Sequence, residues 1–154
     1  MENITGYTRL TVEEVIYEVS SPLFIHAQHW NDELRRSSAC LKPGSCNACE
    51  IGLKRQEIGL ICVRRQDNGE VSILRFPTTT TNLVRHFQEQ GSSIIGTLLA
   101  VAKHPSATQT APIVANLGRV QPRPIPCTRY IQSIGMKAAR DLERHLMEAD
   151  ARAR

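Results

Sequence analysis

Glu57-Ile-Gly-Leu-Ile-Cys-Val-Arg-Arg65, then Gln66-Asp67-Asn68-Gly69, then Val71-Ser-Ile-Leu-Arg-Phe76 follow one another with almost no interruption. Both flanking runs are apolar and rich in β-branched residues, and an Asn-Gly step separates them. Asn and Gly tolerate the positive φ of a tight reversal, so this stretch predicts a β-hairpin. Upstream, residues 9–19 (Arg-Leu-Thr-Val-Glu-Glu-Val-Ile-Tyr-Glu-Val) alternate imperfectly and read as a strand. Ser20-Ser21-Pro22 punctuates it, and Leu23 to Gln28 suits a second strand. Downstream, Thr78 to Thr81 supplies N-cap hydroxyls for a helix over Asn82 to Gln90, stopped by Gly91. Residues 94–102 suit a buried strand or a helix fragment, and residues 111–116 a further strand, with a loop from His104 to Thr110 between them. Gln121-Pro122-Arg123-Pro124-Ile125-Pro126 predicts an extended connector, because each proline fixes φ and removes a donor. Ile131, Ile134, Ala138, Leu142 and Leu146 share one helical stripe, which predicts a C-terminal amphipathic helix.

Five or six strands with a short internal helix and a terminal helix place the chain in the mainly β or α+β class. A small oligonucleotide-binding type of β-barrel, with an inserted zinc loop, fits this count and order. The expected division is a β-rich domain over 1–127, carrying the metal loop at 29–50, and a C-terminal helix over 128–154. At 154 residues the chain is long enough for a real core. No run of eighteen apolar residues spans a membrane, and the N-terminus has neither the basic nor the apolar region of a signal peptide. Five cysteines, three of them clustered, suit a reducing compartment better than a disulfide framework, so a cytoplasmic location is expected.

The cluster is Cys40, Cys46 and Cys49, preceded by His26 and His29. The Cys46-Asn-Ala-Cys49 turn presents two thiolates to one ion, and Pro43-Gly44 bends the chain so that Cys40 faces them. Three thiolates and one imidazole complete a tetrahedral set suited to structural zinc. On a strand, His26 and His29 point to opposite faces, so one of them serves. His29 is closer to the loop and is the expected fourth ligand. Catalytic chemistry lacks its parts. Neither His26-Ala-Gln28 nor His29-Trp-Asn31 carries the glutamate of a zinc deaminase. There is no His-Glu-x-x-His, Gly-rich phosphate loop or Gly-x-Ser-x-Gly. The Cys-x-x-Cys pair is read in a loop, not at a helix start as redox pairs require. Cys62 and Cys127 read as ordinary buried cysteines. The expectation is a protein that is not an enzyme.

The net charge of +4 conceals an asymmetry. Residues 1–33 carry six acids against one base, whereas residues 34–130 carry thirteen bases against five acids. Arg35 and Arg36, Lys54 and Arg55, and Arg64, Arg65 and Arg75 cluster around the cysteine loop and the hairpin. Arginine forks suit phosphate, and a positive face accelerates encounter with polyanions. Trp30, next to the expected ligand His29, is the leading aromatic for stacking a base, with Phe76 and Tyr17 behind it.

The order of a strand with a histidine, one cysteine, a Cys-x-x-Cys and a basic β-rich stretch resembles the zinc-containing single-stranded DNA-binding proteins of T-even-like phages. The resemblance implies a zinc subdomain inserted in an oligonucleotide-binding fold, ligands at His29, Cys40, Cys46 and Cys49, and a role in replication, recombination or repair. The partner it implies is single-stranded nucleic acid. The rival expectation is an adaptor whose metal loop and C-terminal helix form a protein–protein surface.

Overall fold

The computed structural model describes residues 3–31, 36–40, 47–91, 93–106, 108 and 111–133. These fall into two compact units. One comprises residues 1–25 and 58–127, the other 26–57 and 128–154. The strands are β1 (Ile4–Tyr7), β2 (Val15–Val19), β3 (Phe24–Asn31), β4 (Arg36–Ala39), β5 (Arg55–Arg65), β6 (Val71–Phe76), β7 (Thr97–Ala102) and β8 (Ile113–Arg119). The helices are α1 (Asn47–Glu50) and α2 (Thr78–Gln90), and residues 128–133 are also helical. The protein is mainly β, built on an open mixed sheet.

In the first unit the strands lie in the order β1-β6-β5-β2-β7-β8. β1 runs parallel to β6, and every other neighbour on this path is antiparallel. Taken in chain order, β2, β5 and β6 are followed by β7, which returns to lie beside β2. That is the Greek-key arrangement of four antiparallel strands. The predicted hairpin is the β5–β6 pair of this arrangement. β5 and β6 pair from Gly59 with Phe76 to Arg64 with Val71, and Gly69 turns the chain with φ +72°.

Side-chain alternation builds the core. Tyr17 and Val19 of β2, Ile61 and Val63 of β5, Leu74 and Phe76 of β6 and Leu99 and Val101 of β7 are spaced by two and share one buried cluster. Registers of Tyr17 with Leu99, Val19 with Val63 and Ile61 with Leu74 bring these positions side by side. Val84 of α2 and Ile94 complete the cluster. The intervening residues Leu60, Cys62 and Ile73 are buried as well, so β5 and β6 are covered on both faces. This explains why their sequences read as unbroken apolar runs. The proline connector is extended there, as its sequence requires. It docks on the strand end through the Ile125 amide, which donates to the Ser20 carbonyl at 2.8 Å.

One charge enters this unit. Glu18, 1% exposed, accepts from both Arg123 (2.7 and 3.2 Å) and Arg64 (3.4 Å). A carboxylate removed from water in this way requires such partners. Cys62 and Cys127 are buried as expected. A hydrogen bond from the Cys62 thiol draws the Cys127 thiol down to about 7, burial opposing the shift and Ser21 adding to it.

Several boundaries differ from the sequence expectation. β2 begins at Val15 and not at Arg9. The helix starts at Thr78, with Pro77 at its N-cap and no side-chain cap, so the four threonines lie inside its first turn instead of preceding it. Residues 97–102 are strand, fixed by pairing with β2 on one side and β8 on the other. The predicted metal loop at 29–50 contains β4 and α1. The C-terminal helix is seen over 128–133, and its remainder lies outside the described residues.

Candidate metal centre

In the second unit the end of β3 folds back on β4. Gln28 pairs with Ala39, His29 with Ser38, Trp30 with Ser37 and Asn31 with Arg36. The ladder is continued by the Cys40 amide, which donates to the Ala27 carbonyl at 2.7 Å. This hairpin closes the gap of eleven residues between His29 and Cys40. Cys49 lies on α1, a single helical turn. Gly52, at φ +79°, then reverses the chain, its amide donating to the Cys49 carbonyl at 3.1 Å. A glycine suits such a helix exit because it has no Cβ to oppose positive φ.

The ligand atoms of His29, Cys40 and Cys49 all lie within 4.8 Å of one another. Cys49 Sγ is 3.2 Å from His29 Nε2 and 3.6 Å from Cys40 Sγ. His29 is 1% exposed and Cys40 8%. The other ring nitrogen, His29 Nδ1, lies 3.0 Å from the Leu53 carbonyl oxygen. A carbonyl only accepts, so Nδ1 carries a proton, which leaves Nε2, on the side of the sulfurs, as the ring nitrogen able to ligate. That is the tautomer of a metal-bound histidine with its orienting hydrogen bond. His29, Cys40 and Cys49 can therefore hold a metal ion. The strand parity that separates His26 from His29 holds, and among the described residues His26 is not in the group. Cys46, the remaining expected ligand, lies outside the described residues.

The predicted nucleic-acid residues divide. Trp30 is 40% exposed, and Lys54 and Arg55 are exposed in the same unit, Arg55 lying 3.7 Å from Glu57. Arg75 is exposed on β6. Arg64 is largely buried, with its charge directed at Glu18. Arg65 forks onto Asp67 at 2.6 and 2.9 Å. The hydrogen bond from Arg65 holds the Asp67 carboxyl below its usual range. Arg36 belongs to β4, and its side chain, like all of Arg35, lies outside the described residues. Phe76 and Tyr17 are core residues, 0% and 2% exposed, and so offer no stacking face.

Sequence reasoning did not find the Leu53 carbonyl. A backbone acceptor leaves no residue-type signal, and Gly52 is the only hint of the turn that delivers it. No protein-family model, curated protein or solved structure matches the chain. Among the described residues, no helix is long and apolar enough to cross a membrane.

Proposed function

We propose that the protein is a zinc-stapled, non-enzymatic binder of single-stranded nucleic acid, of the kind that serves DNA replication, recombination or repair. The observation that carries this reading is the position of the metal group, in the connection between the first two strands of a Greek-key sheet. The number and Greek-key order of β2, β5, β6, β7 and β8 support an oligonucleotide-binding type of fold. In that fold the connections between strands one and two and between strands four and five carry binding loops. Here the first connection holds the metal group with Trp30, Lys54 and Arg55. The second holds Lys103 and His104.

Zinc is the ion that the donors favour. Bond lengths of about 2.3 Å to sulfur and 2.0–2.1 Å to nitrogen in a tetrahedron require ligand edges of about 3.8 Å (S to S) and about 3.6 Å (S to N). The observed 3.6 and 3.2 Å are close to these. Cys46 is the nearest thiol in sequence to complete the set. The ion's role is structural, since Trp30, Lys54 and Arg55 lie in the stretch 26–57, whose sequence has few large apolar side chains to hold it in shape.

An oligonucleotide titration at two salt concentrations, with metal measured on the same sample, tests the reading. Affinity should fall steeply with salt, the slope counting the phosphates neutralised. Absence of binding at low salt sinks the proposal. A second reading, a protein-binding adaptor, rests on β8. Ile113 and Leu117 expose half of their surface there, and among the described residues β8 pairs with β7 alone. A saturable protein complex with a flat salt dependence would favour it.

A further inference from the structure

The sheet unit contains a second feature with ligand chemistry, separate from the metal ligands in sequence and in unit. A cavity of about 310 Å³ is lined by residues of β1, β2 and the β5–β6 turn, among them Thr5, Tyr7, Arg9, Tyr17, Arg65 and Glu70. Its volume is at the lower end of the range for small-molecule pockets. Tyr17 is the unusual member. Its ring belongs to the core and the residue is 2% exposed, yet its hydroxyl makes no hydrogen bond to any described residue. Buried hydroxyls are nearly always paired, and leaving one unpaired costs about 1–3 kcal/mol. Burial raises the Tyr17 phenol above its ordinary value while Arg65 pulls it down, so the group is a neutral donor.

The rest of the lining shows what would pair it. Arg9 forms no ion pair or hydrogen bond among the described residues, whereas Arg65 is already forked onto Asp67. Thr5 donates to Glu70 at 3.1 Å, leaving the carboxylate further acceptor capacity. The two remaining hydroxyls, Thr8 and Ser72, bond each other at 2.5 Å. Tyr7 is 47% exposed and presents a ring. The cavity therefore offers an uncommitted guanidinium, a buried phenol donor, a carboxylate acceptor and an aromatic ring. A bare anion would use the first two but would be repelled by Glu70. A ligand with an anionic group, a hydroxyl and a flat ring uses all four.

We propose that this cavity binds a nucleotide through its phosphomonoester, which takes the Arg9 fork and the Tyr17 hydroxyl. The sugar hydroxyl donates to Glu70 and the base lies against Tyr7. The group can belong to a free nucleoside monophosphate or to the phosphorylated end of a strand, and the chemistry at the cavity is the same.

The test titrates the full chain with adenosine 5′-monophosphate, adenosine, and a short oligothymidylate with either a 5′-phosphate or a 5′-hydroxyl. The monophosphate should bind at least about tenfold more tightly than adenosine, and Arg9→Ala and Tyr17→Phe should each weaken it about tenfold. Tyr17→Phe keeps the ring in the core and removes an unpaired hydroxyl, so a melting temperature that does not fall shows that the loss is local. A 5′-phosphate that strengthens oligonucleotide binding assigns the site to strand ends. Equal binding of the two oligonucleotides, with the monophosphate still bound, assigns it to free nucleotides. No preference for the monophosphate over adenosine, or binding indifferent to Tyr17→Phe, overturns the proposal. The 5′-hydroxyl oligonucleotide separately reports the general strand-binding reading, so the two can fail independently.

Discussion

The two units are held together by different physics. The sheet unit buries a two-residue repeat from four strands, Tyr17, Val19, Ile61, Val63, Leu74, Phe76, Leu99 and Val101, closed over by Val84 and Ile94. In the metal unit, the described residues of 26–57 form a short hairpin and one helical turn, and their buried members are Gln28, His29 and Cys40. Apolar burial contributes roughly 25 cal/mol per Å², which a segment with so little apolar surface cannot accumulate. One region is therefore specified by pattern and the other, on the proposed reading, by ligands.

The largest effect should come from separating them. Cys49→Ser, or removal of the ion by a chelator, should abolish stoichiometric metal and release amide protection over 26–57, while β5, β6 and β7 keep theirs. Structural zinc in small peptides contributes an apparent 10–16 kcal/mol, roughly, and on the proposed reading that term would belong to one unit. Metal content and hydrogen exchange on the same sample check this. Full protection of 26–57 without metal would show that packing alone suffices there.

The converse substitution is Phe76→Ala. Phe76 is fully buried at the end of β6, and its loss should cost about 3–5 kcal/mol of global stability through the cavity it leaves. Below the lowered melting temperature, metal stoichiometry should be unchanged. Loss of metal from the folded variant would mean that the two units do not divide as described.

Legibility in the sequence follows the same division. β6 appears at its predicted limits because both of its faces are buried and an Asn-Gly turn fixes its start. The group of His29, Cys40 and Cys49 was legible from residue type and spacing: strand parity left one of two histidines, and nearness to the loop chose His29. What held them was not. β4 is Arg-Ser-Ser-Ala, with no apolar run, and is a strand because β3 pairs with it. β1 likewise depends on the edge of β6. Tyr17 shows a related limit. An aromatic in a strand reads equally as a stacking platform or as core, and only the register with Leu99 and Arg65 turns its ring inward.

Glu18→Ala should have a smaller effect than either of these. The substitution takes from Arg64, 12% exposed, a hydrogen bond to a charged group, at a cost of about 1.5–3 kcal/mol. Arg123 is 57% exposed, so Arg123→Ala should cost under about 1 kcal/mol by chemical denaturation. Equal losses from Glu18→Ala and Arg123→Ala would show that the connector's arginine, and not the burial of the charge, carries the interaction.

The smallest effect lies at the hairpin turn and bears on what an exposed ion pair can contribute. Arg65 and Asp67 form a bidentate fork at 2.6 and 2.9 Å, and the hydrogen bond from Arg65 is the main reason that the Asp67 carboxyl titrates below its usual range. A carboxyl whose folded value is depressed contributes stability fully present above its unfolded value, near 3.9, and lost as the pH falls through the folded value. The fork should therefore matter at neutral pH and vanish in acid. Both groups face water, so Asp67→Asn should shift the neutral-pH midpoint of unfolding only slightly, with no difference from wild type in strong acid. A carboxyl titration followed by NMR reads the depressed value directly. An ordinary value would mean that the fork does not persist in solution, and Arg65 would then be a second uncommitted guanidinium beside Arg9 at the nucleotide cavity.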